Sequence, residues 1–160
     1  MSWVYRMTRS DLVCPQSEGR VLVQSADPTA ALLIDPNWLD REEDRAGLVA
    51  GTRAIRKIMG QKAFEPMVEG ETKLTSEAQI DSEIIELARS LGQSGYHAVG
   101  TAAMGANEDA VLDHRLRVRG VAGLRVVDCS IFPEIPSGNT NAPTMAAGLY
   151  AADMILADAR

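Results

Sequence analysis

The residues of this 160-residue chain best able to do chemistry together are His97 and Asn139. They stand at opposite ends of one block. Tyr96-His97-Ala98-Val99-Gly100-Thr101 opens it, Val111-Leu112-Asp113 and Gly123-Leu124-Arg125-Val126-Val127-Asp128 follow, and Pro136-Ser137-Gly138-Asn139-Thr140-Asn141 closes it before a helix. Each of the two sits at a turn between regular elements, a placement that suits a shared site better than a shared core. Imidazole exchanges a proton near neutral pH, so a histidine can serve as a general base. A carboxamide donates and accepts hydrogen bonds but cannot abstract a proton. Taken singly, His97 also reads as a histidine hydrogen-bonded at a helix-to-strand turn, and Asn139 as one more turn asparagine.

The elements that must position these residues follow from the pattern of the chain. Asp11-Leu12-Val13-Cys14-Pro15 ends a short apolar run, Gln16 to Gly19 is a turn, and Arg20-Val21-Leu22-Val23-Gln24 alternates as a strand. Leu32-Leu33-Ile34 is a further short apolar run. A helix begins near Asp40, where Asp40 and Glu43 have capping-box spacing and Glu42 to Asp44 bring acid to the positive end of the dipole. Its predicted apolar face is Leu48, Ile55, Ile58 and Met59, with Gly60 as the C-cap. A polar segment from Glu69 to Thr75 separates it from a second helix starting near Asp81, with Ile84, Ile85, Ala88 and Leu91 on one stripe and Gly92 at its end. Beyond Tyr96 the spacing predicts two short strands, Leu116-Arg117-Val118 and Leu124 to Val127, the second apolar enough for a buried parallel strand. The last helix follows Asn141, with Pro143 in the first turn and a face of Met145, Ala146, Leu149, Ala152 and Ile155 suited to packing on a sheet. So few strands do not make an independent parallel sheet, which points to a piece of a larger protein.

Composition narrows the function classes. A hydrophobic fraction of 46% argues for a folded domain, and a formal net charge of −6 argues against nucleic-acid or anionic-membrane partners, which call for basic patches. The two cysteines, Cys14 and Cys129, form no CxxC pair and read as two buried thiols in a reducing compartment, with neither a disulfide framework nor a metal site expected. Met1 to Arg6 shows no long apolar leader and no stretch is apolar enough to span a membrane, so a cytoplasmic protein is expected.

The block from His97 to Ile155 resembles the C-terminal signature of the glucose-methanol-choline (GMC) family of FAD-dependent alcohol oxidoreductases. Several spaced motifs recur in that family's order, Gly100-Thr101-x-x-Met104-Gly105 behind His97 among them. A weaker likeness precedes it, in Pro15-x-Ser17-x-Gly19-x-Val21, Ser25-Ala26-Asp27-Pro28 and the helix after Asp40. The chain departs from the family at Glu18, where arginine is frequent, and at His114, where proline is common; His114 is expected on the surface. It also contains no Gly-rich dinucleotide-binding turn. The resemblance therefore implies an α+β fold, incomplete without an N-terminal half. Residues 1–95 would be a substrate-domain segment with antiparallel sheet and helices, and residues 96–160 the C-terminal strand-helix part of the FAD-binding α/β domain.

The same resemblance implies FAD as cofactor and a small-molecule alcohol as substrate. Oxidation removes the hydroxyl proton and passes hydride to flavin N5. His97 would be the base, and Asn139, where other members carry a second histidine, would hydrogen-bond the substrate oxygen. Asparagine there leans toward the choline-oxidising and furfural-alcohol-oxidising side of the family. Asp128, Cys129, Thr140, Asn141 and Ala142 would line the cofactor, Cys129 as a packed structural residue, Asn141 as the N-cap of the last helix or a flavin-edge contact, and the helix N-terminus facing the flavin pyrimidine. Two other readings accompany this one: hydroxynitrile-lyase chemistry on the same fold, and a non-catalytic fragment that needs a separate N-terminal FAD-binding half.

Overall fold

The computed structural model describes residues 12–159. The segment read above for a leader, and Asp11 with it, lie outside the described residues. In chain order the elements are β1 (Arg20–Leu22), β2 (Leu33–Asp35), α1 (Glu42–Met59), α2 (Lys73–Ser76), α3 (Asp81–Leu91) and α4 (Asn141–Asp158). They fall into two compact units, one of residues up to Gly19 with Pro36–Gln93, the other of Arg20–Asp35 with Ser94 onward. Among the described residues, no helix is long and apolar enough to cross a membrane.

In the first unit α1 packs on α3 around Val49, Ala78 and Ile84, with Ile85 and Leu87 alongside. The buried stripe of α1 is thus centred on Val49, while Ile58, expected on that face, is 52% exposed. The expected Asp40–Glu43 capping box does not form either. The N-cap is Arg41, with no side-chain cap, and its backbone N–H is taken by the Ser17 hydroxyl at 3.1 Å. Arg45 reaches back to the carbonyl oxygens of Leu39 and Asp40. A long-range partner has displaced the local cap. At α3 the local signal holds: Glu83, in the first turn, accepts from the backbone N–H groups of Gln79 and Ile80 at 2.8 and 3.2 Å. At Gly92 the chain leaves the helix in extended backbone, and glycine fits there because a Cβ would lie 2.2 Å from the Ala88 carbonyl oxygen.

Cys14, expected to be buried, is exposed in the segment before α1, and Cys129 is half-buried. Asp44 ties that segment to the helix. Its carboxylate is 3% exposed and accepts from the backbone N–H groups of Gln16 and Ser17, at 2.8 and 2.7 Å, and from the Ser17 hydroxyl. Burial raises its pKa, but these donors outweigh that and hold it below the ordinary carboxylate range.

In the second unit β1 and β2 form a two-stranded antiparallel sheet in the register Arg20↔Asp35, Val21↔Ile34, Leu22↔Leu33. The main core of this unit is elsewhere: Leu112, Leu116, Ile131 and Ala151 are 4% exposed or less, surrounded by Ala102, Met104, Val118, Val126, Phe132, Ala147 and Met154. The two strands expected here are single bridges instead, Leu112–Val118 and Arg117–Arg125, both antiparallel. Leu116 has φ +60, which ends any extended run, and Gly120 and Gly123, both at φ +77, fold the two segments tightly back on each other. A tight turn can only join antiparallel neighbours, so Leu124 to Val127 is no buried parallel strand. Asp113 closes the preceding turn, accepting from the Arg115 and Arg117 backbone at 2.8 and 2.9 Å.

Helix α4 starts where the sequence places it but presents the opposite face. Ala147, Ala151 and Met154 pack on the core. Met145, Leu149 and Ile155, expected to be covered, are 63%, 74% and 41% exposed, and Ala146 and Ala152 lie outward too. Nearly every position of α4 is apolar or small, so hydropathy alone does not mark the inward side.

Candidate active site

Three segments of the second unit meet around His97. Ser130 and Ile131 offer carbonyl oxygens to the backbone N–H groups of Gly100, Ala102 and Met104 at 2.9–3.2 Å, which lays residues 98–104 along the turn after Asp128. The Cys129 thiol lies 3.5 Å from the Ala98 carbonyl oxygen. Gly100 has φ +88, a backbone conformation that favours glycine. Tyr96 has φ +62, uncommon for a bulky residue and worth about 1–2 kcal/mol of strain. Local strain of this kind clusters at functional sites.

The third segment is the turn into α4. The half-buried His97 ring has Nδ1 at 3.2 Å from Oγ1 of Thr140, a residue 7% exposed. This contact, across 43 residues of sequence, brings the turn bearing Asn139 beside the imidazole. Asn139 itself is exposed, as are Asn141 and Ala142. Asp128 is exposed and caps the 3-10 turn Cys129–Ile131, its Oδ1 accepting from Ser130 N at 2.7 Å. The Ser130 hydroxyl, then its N–H, holds the Asp128 carboxyl below the ordinary range, so it is an anion here.

Helix α4 begins with open donors. Thr140 is its N-cap in position, yet its φ, ψ of −77°, −10° are helical and its side chain makes no cap. The first turn carries no acid. Among the described residues no partner is shown for the backbone N–H groups of Asn141 and Ala142, which with the positive end of an 18-residue helix can meet an external negative group. This fits an anionic cofactor edge, and the exposed set Asp128, Asn139, Asn141 and Ala142 is what a chain would present to a bound group. Two shallow grooves of about 440 and 410 Å³ lie along Met104, Gly105, Ala106 and Pro133, the second reaching Asp113, His114 and Arg119; His97 and Asn139 line neither. Among the described residues no three His, Cys, Asp or Glu side chains group as a metal site.

The expected residues fall in two classes. His97, Thr140 and, through its neighbour, Asn139 come together; Cys129 packs against the backbone next to His97. His114 is exposed. The contact that sequence reasoning missed is Thr140 to His97: Thr140 in front of an Asn-Ala-Pro helix start reads as a cofactor contact, and only the fold turns its hydroxyl to the imidazole.

Comparisons with known proteins give this geometry a family. A family model described as GMC oxidoreductase matches residues 15–148. An oxygen-dependent choline dehydrogenase of Brucella ovis is 41% identical over 143 residues, 88% of this chain and 26% of that protein. An uncharacterised GMC-type oxidoreductase of Mycobacterium tuberculosis is 38% identical over 90% of this chain and 28% of its own length. Formate oxidase of Aspergillus oryzae superposes with a TM-score of 0.83 at 31% identity, and an FAD-dependent oxidoreductase of Chaetomium thermophilum with 0.81 at 28%, each over 92% of this chain and 26% of the other. The chain spans about a quarter of the length of the relatives it matches. With its matched region covering most of its length and its motifs in order, the chain belongs to the GMC oxidoreductase family, as a C-terminal segment of it.

Proposed function

We propose that this chain is the catalytic C-terminal segment of an FAD-dependent enzyme that oxidises an alcohol to an aldehyde or ketone. The observation that carries the reading is the His97–Thr140 contact, which sets the Asn139 turn and the open N-terminus of α4 beside one imidazole. FAD, when bound, supplies the hydride acceptor. His97 takes the proton of the substrate hydroxyl. Asn139 donates a hydrogen bond to the oxygen as it gains negative charge, and being an amide leaves proton abstraction to His97 alone. The free N–H groups of Asn141 and Ala142 and the α4 dipole favour negative charge on the cofactor edge. Asp128 would accept or relay hydrogen bonds near the cofactor's ribityl chain and pyrophosphate when it is bound, and Cys129 packs against the backbone next to His97.

Residues 1–95 belong to the substrate domain in this reading and residues 96–160 to the flavin domain, the remainder coming from an N-terminal half on the same or a separate chain. The apolar outer stripe of α4, with Leu149 at 74% exposure, supports such a partner. The unpaired thiols Cys14 and Cys129 suit a cytoplasmic enzyme.

The test is a visible absorption spectrum of the protein joined to its N-terminal half, before and after anaerobic benzyl alcohol, choline or hydroxymethylfurfural. A flavin band that bleaches with one of them supports alcohol oxidation. A band that none of the three bleaches leaves lyase-type chemistry on the same fold or a substrate outside these three. The 160-residue chain alone is expected to hold no stoichiometric FAD.

A further inference from the structure

Thr140 occupies the N-cap position of α4, and threonine there ordinarily turns its hydroxyl onto the N2 or N3 amide. It makes no such bond. Its backbone is already helical, which carries the side chain off the helix axis, and Oγ1 sits 3.2 Å from Nδ1 of His97. The residue is 7% exposed, so this is a sequestered hydroxyl facing one ring nitrogen, not one of many solvent arrangements. A neutral imidazole carries its proton on one nitrogen only, and a hydroxyl can accept from Nδ1–H or donate to a bare Nδ1, so the contact makes Nδ1 the engaged nitrogen and the role of base selects between the two forms. With Nδ1 against Thr140, Nε2 is the nitrogen left to meet a substrate.

We infer that Thr140 is a positioning residue that accepts a hydrogen bond from Nδ1–H of His97, fixing the tautomer in which Nε2 carries a bare lone pair. A base needs that lone pair; the other tautomer would present an N–H and could not take the hydroxyl proton. One side chain thereby does two things: it orients the imidazole, and by forgoing its cap it leaves the first N–H groups of α4 open. The inference rests on the proposed role of His97 as base, but the bond and the tautomer exist or fail independently of turnover.

The chain has only two histidines, His97 and His114, and the latter is exposed, so ring-nitrogen NMR on uniformly 15N-labelled chain resolves both. The expected spectrum at a pH where both rings are neutral shows His97 protonated at Nδ1. Thr140→Val removes the hydroxyl at nearly constant volume and costs α4 no cap, since none is made. It should release His97 to a tautomer mixture like that of His114, while Thr140→Ser restores the Nδ1–H form. In the enzyme assembled with its N-terminal half and FAD, Thr140→Val should lower kcat about 10- to 100-fold with little change in KM, and serine should recover most of it. His97 protonated at Nε2 in the parent chain, or an unchanged tautomer in Thr140→Val with retained helical circular dichroism, overturns the inference. An Nδ1–H tautomer in an assembled enzyme that no alcohol reduces would leave Thr140's role standing and sink the alcohol-oxidation reading instead.

Discussion

Arg117 and Asp158 are 41 residues apart in sequence and 2.5 Å apart in space. Arg117 lies on the tight turn that follows Leu116, Asp158 in the last turn of α4. Arg115, at 2.5 Å, and Arg125 converge on the same carboxylate, and all three guanidiniums also meet the negative end of the α4 dipole. The clamp holds the C-terminal end of the helix to the Leu116–Arg125 turn. The hydrogen bond from Arg117 is the largest cause of a pKa lowered from 3.8 to about 2; loss of hydration opposes it and Arg115 adds to it.

That shift gives a pH dependence with a definite sign. A carboxyl whose pKa is depressed in the folded state contributes stability that is complete above its ordinary pKa and lost as pH falls through the folded one. The melting temperature of the parent chain should therefore exceed that of Asp158→Asn by a constant margin from pH 7 to about 5, and the margin should shrink between pH 4 and 2. Thermal melts followed by circular dichroism measure it. A margin that does not narrow in that window contradicts the clamp.

Asp44 predicts a local effect in the first unit. Asp44→Ala leaves the part-buried donors of Gln16 and Ser17 without their acceptor, at a cost of about 1–3 kcal/mol in urea denaturation. Hydrogen exchange should accelerate first at the Gln16 and Ser17 amides. Protection that stays as in the parent would mean that the carboxylate does not hold that segment.

The core of the second unit is expected to be sensitive at Leu112, which is fully buried, and tolerant at Val121, 51% exposed on the turn. Leu112→Ala should destabilise by about 2–5 kcal/mol, and Val121→Ala should stay within about 0.5 kcal/mol. Equal effects at the two positions would contradict the burial pattern.

For the proposed chemistry, His97→Gln in the assembled flavoenzyme should slow flavin reduction about 10²- to 10⁴-fold with FAD still bound. Asn139→Ala should slow it about 10²-fold. His114→Gln, an exposed change, serves as control and should leave the rate alone. Stopped-flow absorbance at the flavin band reads all three; a His97→Gln enzyme reduced at the parent rate would remove His97 from the role of base.

The outer face of α4 should matter to assembly more than to the chain itself. Leu149→Glu is predicted to leave the thermal melt of the isolated chain within a degree or two while weakening its co-purification with an N-terminal half. A melt lowered as far as by Leu112→Ala would show that Leu149 is already buried within the chain.

What the sequence determined by itself was local or carried by ordered motifs. The Asp81 helix start, the stop at Gly92, the α4 start before Pro143 and the family block from His97 all rest on residues a few positions apart, where capping and turn chemistry act directly. The tertiary structure decided what depends on distant partners. Asp40 lost its cap role because Ser17 and Arg45 satisfied the neighbouring groups instead. The inward side of α4 could not be read because small apolar residues surround the helix, and only the positions of Leu112, Leu116 and Ile131 select Ala147, Ala151 and Met154. Leu124 to Val127 read as a buried parallel strand from hydropathy, yet the left-handed Leu116 and the glycine turn leave it a single antiparallel bridge. Thr140 read from the sequence as a cofactor contact; that its hydroxyl faces His97, 43 residues earlier, is a fact of chain packing that no local pattern encodes.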